Sequence, residues 1–230
     1  MCLRFVFLLV TQLAASLRLS RRKEARKTAG ILILRPELVA VPAVPGRGDP
    51  GAAFFTADLP GGTQAYVLAV IEHATRRIRI LGVTLHPTGQ WTAQQARNLI
   101  MDLGEEAHRV KFMIRDRGSN FTAAFDAVLA DAGIQTLLCN ARTPRMNAIA
   151  ERWIGGCRRE MLDRALVWNQ AHLRRILREY EIHHNQHRPH RSLHGAAPLT
   201  PLPEPVDLGQ YRVRRQTRIS ALISEYRLVA

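Results

Sequence analysis

From about residue 52 to residue 184 the chain alternates in a way that leaves few folds open. Three β-rich runs come first with no helix between them, and only then do strands and helices take turns. The early runs are 54–57, 66–71 and 78–84, the last two separated by the polar turn 72–77. The spacing then predicts a helix over 92–103 ended by Gly104 and a buried strand over 110–114. After these come a helix capped by Ser119 and running to 132, and a strand over 134–138. Two more helices are expected, over 147–165 and 170–184. Strands joined directly pair antiparallel, whereas strands joined through a helix return parallel. The order β-β-β-α-β-α-β-α therefore implies an α/β fold, a mixed five-stranded sheet flanked by helices.

Upstream, this pattern dissolves. Pro36, Pro42, Pro45 and Pro50, with Gly46, Gly48 and Gly51, suit no regular element, so 36–51 reads as a linker. Residues 1–35 read as a poorly packed apolar and basic helical leader, in which Phe5 to Val10 precede the basic run 21–27. A packed helix, an interfacial helix and a signal segment all fit it. It is too short and interrupted for a membrane span, which needs ~20 apolar residues. The folded unit is expected over 52–195, and 196–230 reads as an extended basic tail.

Charge narrows the partner. The 230 residues carry a formal +14, and all but three of the 33 basic residues are Arg. Arg forks match phosphate bidentately, so a polyanion is the leading partner class. Cys2, Cys139 and Cys157 are odd in number and far apart, which fits neither a disulfide framework nor a zinc site. A reducing, cytoplasmic setting follows, with no firm membrane association and no small-molecule cofactor.

Two carboxylates stand out. Asp116 lies at the carboxyl end of a predicted strand, where open α/β sheets place ligands. Glu151 lies early in the helix after Pro144, about 200° from the apolar stripe Ile149, Trp153, Cys157 and Met161 at ~100° per residue. Taken alone, Asp116 is a turn aspartate and Glu151 a solvated first-turn residue favoured by the helix dipole.

Their surroundings change that. The stretches Ile114-Arg115-Asp116-Arg117-Gly118-Ser119-Asn120-Phe121-Thr122 and Pro144-Arg145-Met146-Asn147-Ala148-Ile149-Ala150-Glu151-Arg152-Trp153 resemble the catalytic core of DDE transposases and integrases. A third stretch, His184-Asn185-Gln186-His187-Arg188-Pro189-His190, looks like the segment that follows that core. The likeness is greatest to insertion-sequence transposases of high-GC bacteria. It implies a ribonuclease-H-like fold and a nucleoid-associated protein of a mobile element. It also implies DNA integration and recombination by two-metal phosphoryl transfer, with Mg²⁺ or Mn²⁺ held by two Asp and one Glu. Such chemistry suits hard cations that demand several anionic oxygens.

On this resemblance Asp116 and Glu151 are the catalytic, metal-binding carboxylates. The first Asp should precede the Phe54-Phe55 pair, but Ala53 occupies its place. Asp58 is an unsuitable substitute. It lies five residues on, at an odd offset that turns it to the other sheet face, ~16 Å along the strand. The leader segment Ile31-Leu32-Ile33-Leu34-Arg35 also resembles these transposases, and 36–51 stands where a helix-turn-helix region is expected. The chain thus reads as an internally deleted, degenerate copy. Expected DNA contacts are Arg145, Asn147, Arg152, Arg158, Arg159, Arg188 and His190. Expected partners are DNA and other copies of this chain or of an intact transposase. The alternative is a non-catalytic DNA-binding or transposase-interacting protein.

Overall fold

The computed structural model describes residues 49–139, 147–202, 204 and 211–229. The leader, most of the linker and Arg145 lie outside them. Seven strands and four α-helices are present among the described residues.

The first strand, β1 (Pro50–Asp58), begins two residues earlier than the Pro/Gly content suggests. Pro50 is the first residue of the strand, a position where its missing N–H breaks no ladder bond within it. β1 pairs antiparallel with β2 (Gln64–Glu72), and β2 pairs antiparallel with β3 (Ile78–Thr84). β4 (Phe112–Arg115) returns parallel to β1, and β5 (Gln135–Leu138) is parallel to β4. The five-stranded order is β3-β2-β1-β4-β5, as the hairpin-then-crossover reading requires.

Alternation along the strands sorts the core into two layers. One holds Ala52, Leu68, Val70 and Met113 under α1 (Gly89–Leu103) and α2 (Ala123–Asp131), which contribute Leu99, Phe125 and Leu129. The other holds Ala53, Phe55, Val67 and Ile71 under α3 (Ala148–Cys157) and α4 (Gln170–Gln186). From these helices come Ala150, Trp153, Cys157, Leu173 and Tyr180. Thr88 caps α1, its side chain accepting from the Trp91 N–H. The N-cap of α2 is Thr122 rather than Ser119, because Gly118–Phe121 is spent on a turn closed by Phe121 N–H to Gly118 C=O. Helix α3 gives way after Cys157 to a wider π turn, Arg158–Leu162, so the expected single helix to 165 is broken.

Helix α4 fastens the edge strand β3. Asn185 donates to and accepts from the Ile78 backbone at 2.9 Å each, and Gln170 and Arg174 both donate to Val83 C=O. The tail, expected to be extended, instead forms a hairpin of β6 (Arg212–Arg218) and β7 (Ile223–Val229). It docks through Ile219 and Ile223, and through buried Glu225, which meets His183, His187 and Arg218.

Candidate active site

The register of β1 and β4 decides what stands beside Arg115, the residue before Asp116. Ala52 is paired with Arg115, both facing the α1/α2 layer, where Arg115 forks onto Asp126 at 2.9 and 2.6 Å. Its guanidinium lies 5.4 Å from the Phe121 ring centre. Residue 53, the next along β1, turns by period-2 alternation to the opposite face, beneath α3, and Asp116 is the first residue beyond the end of β4. Ala53 is 2% exposed there, in one cluster with Ala150 and Trp153. An alanine methyl therefore occupies the α3-facing position of β1 that follows the Ala52–Arg115 pair. Asp58 is exposed at the far end of β1, faces the other layer and accepts from Gln64.

Asp116 is half-buried, and its Oδ1 accepts the Gly118 N–H at 2.8 Å. A Cβ at 118 would stand 2.9 Å from the same oxygen, so a larger residue there would make the Asp116 carboxylate shift. Glu151 is exposed in the first turn of α3. The two carboxylates meet electrostatically at Cys139, the residue after β5. Burial pushes its thiol above the ordinary range, and the charges of Asp116 and Glu151 push it further.

The end of β4 at Arg115 leaves the β1 edge beyond Ala52 without a strand partner. Side chains just before and just after α3 supply donors. Asn147 Nδ2 donates to Ala52 C=O at 3.3 Å and Arg158 Nη2 to Thr56 C=O at 2.6 Å. These anchors hold α3, whose first turn carries Glu151, against the β1 edge. Expected DNA contacts thus separate by position. Asn147 is buried, 5% exposed, and Arg158 is engaged by the backbone. Arg188 is paired with Glu160 and lies near the Tyr180 hydroxyl. Arg152 and Arg159 are exposed, and Gly155 leaves room for Arg159 alongside it. Arg152, Arg188 and His190 line one cavity with Arg76 and Arg191. Sequence reasoning missed Arg76, because nothing in the turn 72–77 distinguishes it from a solvated arginine.

The donor set does not fit two metal ions. Of the residues to which the sequence resemblance points, Asp116 has an oxygen committed to Gly118, Glu151 is exposed, and Ala53 offers only a methyl. Among the described residues no group of three or more His, Cys, Asp or Glu is placed to hold a metal. No helix among them is long and apolar enough to cross a membrane.

Residues 132–198, which hold Glu151 and the Arg188-Pro189-His190 segment, match the Integrase core domain family. No curated protein sequence matches the chain. Among solved structures, one similar chain belongs to the simian T-cell lymphotropic virus intasome in complex with PP2A regulatory subunit B56 gamma. It is 12% identical, over 52% of this chain and 44% of that one, with a TM-score of 0.36. Another is the catalytic core domain of BIV integrase, 18% identical over 66% of this chain and 91% of that one, with a TM-score of 0.45. The chain thus spans less than half of the intasome chain it matches. The family match at 132–198 falls within a mixed five-stranded sheet of order β3-β2-β1-β4-β5 flanked by helices, and that family is what this chain is similar to.

Proposed function

We propose that this chain is a transposase- or integrase-type protein that engages DNA but has lost strand transfer, because its first metal-binding carboxylate is absent. The observation that carries the reading is Ala53, one register step past the Ala52–Arg115 pair and under the helix that bears Glu151. A two-metal phosphoryl transfer needs anionic oxygens that bridge both ions, and two carboxylates supply too few. Divalent cations bind weakly here. What persists is the basic surface, with Arg152 and Arg159 exposed on one side of the Glu151 helix and the turn after it. DNA binding of this kind releases counterions, so its Kd weakens steeply with salt. Assembly with an intact transposase copy, dampening it, is the biological role that such a remnant fills.

A strand-transfer assay on a donor duplex with Mg²⁺ or Mn²⁺ tests the reading. No joining is expected, while a mobility-shift titration shows DNA binding that weakens between 50 and 200 mM salt, on the order of a hundred-fold or more for several phosphate contacts. Joining that disappears on Asp116→Ala overturns the loss of activity. Binding that is absent or indifferent to salt overturns the DNA reading.

A further inference from the structure

Away from the carboxylates, a cavity of about 590 Å³ lies between α3, α4, the β2–β3 turn and the segment 188–192. Its lining includes four arginines and no acidic residue among the described ones. Arg188 is neutralised by Glu160. Arg76, Arg152 and Arg191 have no carboxylate partner among the described residues. They also disfavour one another: burial, and then the charge of Arg152, draw the Arg76 guanidinium below its ordinary range. Three uncompensated guanidinium groups around one cavity are an electrostatic cost that an anion relieves.

Arg76 is held in place despite strain. Its φ is 63°, in the left-handed region that a Cβ disfavours, and such strain collects at functional positions. Its carbonyl accepts from His184 Nε2 at 3.0 Å and its own Nε donates to Ser192 Oγ at 3.0 Å. Backbone and side chain are therefore both fixed before any ligand arrives. His184 is driven down to about 3, chiefly by burial, so it is neutral and Nε2 carries its single proton. Its Nδ1, with Trp153 Nε1 and His190 Nε2, is a buried atom without a hydrogen-bond partner. All three belong to residues of this cavity. Apolar surface from Ile71, Ile149, Trp153 and Pro189 completes the wall.

We propose that this cavity binds a nucleotide-sized phosphomonoester, with Arg76, Arg152 and Arg191 holding the phosphate and the Trp153 wall holding the sugar and base. Convergent guanidinium forks match phosphate oxygens, and they surpass a lone ammonium in doing so. The volume suits a small-molecule ligand and exceeds what a bare phosphate fills. The occupant is either a free nucleotide or the 5′-phosphorylated end of a strand, which present the same chemistry. The inference rests on the cavity and its charges, independently of the metal-site reading.

Calorimetric titration of the full chain without divalent metal tests it, using deoxyadenosine monophosphate, deoxyadenosine, and a short single strand with a 5′-phosphate or a 5′-hydroxyl. The monophosphate is expected to bind at least ten-fold tighter than the nucleoside. Arg191→Gln, at an exposed position, is expected to weaken it about ten-fold with an unchanged thermal melt, the loss of one charge-assisted contact. Arg76→Gln does the same, and Trp153→Phe removes the ligand-induced change in tryptophan emission. A 5′-phosphate preference that the free nucleotide competes away assigns the site to strand ends; binding of the free nucleotide alone assigns it to nucleotides. Equal affinity for nucleotide and nucleoside, or full affinity in folded Arg191→Gln, overturns the proposal. Because no metal is present, that failure leaves the strand-transfer reading standing.

Discussion

Placing a carboxylate at residue 53, Ala53→Asp, tests directly the proposal that this position once completed a metal site. Ala53 is 2% exposed, stands one register step past the pair that leads to Asp116, and lies under α3 among Ala150 and Trp153. Without metal the new carboxyl enters a nearly dry face, and on the proposed reading it meets the charge of Asp116. Desolvation and like-charge repulsion raise its pKa and destabilise the fold. The cost of an uncompensated buried charge is about 3 kcal/mol. For a domain of this size that lowers Tm by about 6–12 °C. The new group's folded pKa lies above its unfolded value, so its penalty is felt at neutral pH and fades as pH falls through the folded pKa. A divalent ion reverses the sign. At one hundred times Kd it returns about 2.7 kcal/mol, close to the original loss. The assay is thermal unfolding with and without Mg²⁺ or Mn²⁺. The expected result is a lift of several degrees in Ala53→Asp alone, abolished by adding Asp116→Ala and absent in the isosteric Ala53→Asn. A folded Ala53→Asp protein that metal does not stabilise would falsify the proposal that residue 53 once completed a metal site with Asp116.

Three further outcomes follow from the same geometry. Arg115→Met leaves Asp126 without its bidentate partner on the α1/α2 face; a loss of about 2–3 kcal/mol is expected in urea unfolding, much of it absent in the Asp126→Asn background. Cys139 is expected to react faster with a disulfide reagent in Asp116→Asn and in Glu151→Gln, because each removes a charge that pushes the thiol up; an effect of only one substitution would show that the carboxylates do not converge there. Glu225 is buried, which pushes its carboxyl up, but hydrogen bonds from Arg218 and His183 and the nearby His187 hold it below the ordinary carboxylate value of 4.5. The stability it lends the β6–β7 hairpin is present above that value and lost as pH falls through the depressed folded pKa. Amide exchange across 212–229 should accelerate in that acid range, and Glu225→Gln should remove the pH dependence.

The sheet was legible from the chain because its cues are local. Alternating apolar residues in β1 to β3 and glycines at 104 and 133 mark strands and helix ends within a few residues of themselves. The errors arose where a distant partner overrides such cues. Pro50 and Gly51 join β1 because β2 pairs with both and β4 with Gly51, and Ser119 loses its cap to a turn set by Gly118. The tail folds as a hairpin because Glu225 finds His183 and His187 some forty residues away. Asp116, Glu151 and Ala53 stand out in the sequence because they sit in ordered motifs. Arg76 was not, since its role depends on His184 and Ser192, more than one hundred residues downstream.

On the proposed reading, a carboxylate lost at residue 53 also bears on why the scaffold stays intact. Three carboxylates at a metal site repel one another whenever the ions are absent, so the site is paid for in stability. Replacing one of them with a methyl removes the repulsion and adds apolar contact with Ala150 and Trp153. Asn147 and Arg158 go on pinning α3 and its following turn to the Ala52 and Thr56 carbonyls, because those donors answer to the unpaired β1 edge and not to any metal. Selection for a folded protein and selection for strand transfer therefore part company at this one position. An alanine at residue 53 is compatible with the helix, the strand ends and the exposed Arg152 and Arg159 as they stand, the combination on which the proposed DNA-occupying role depends.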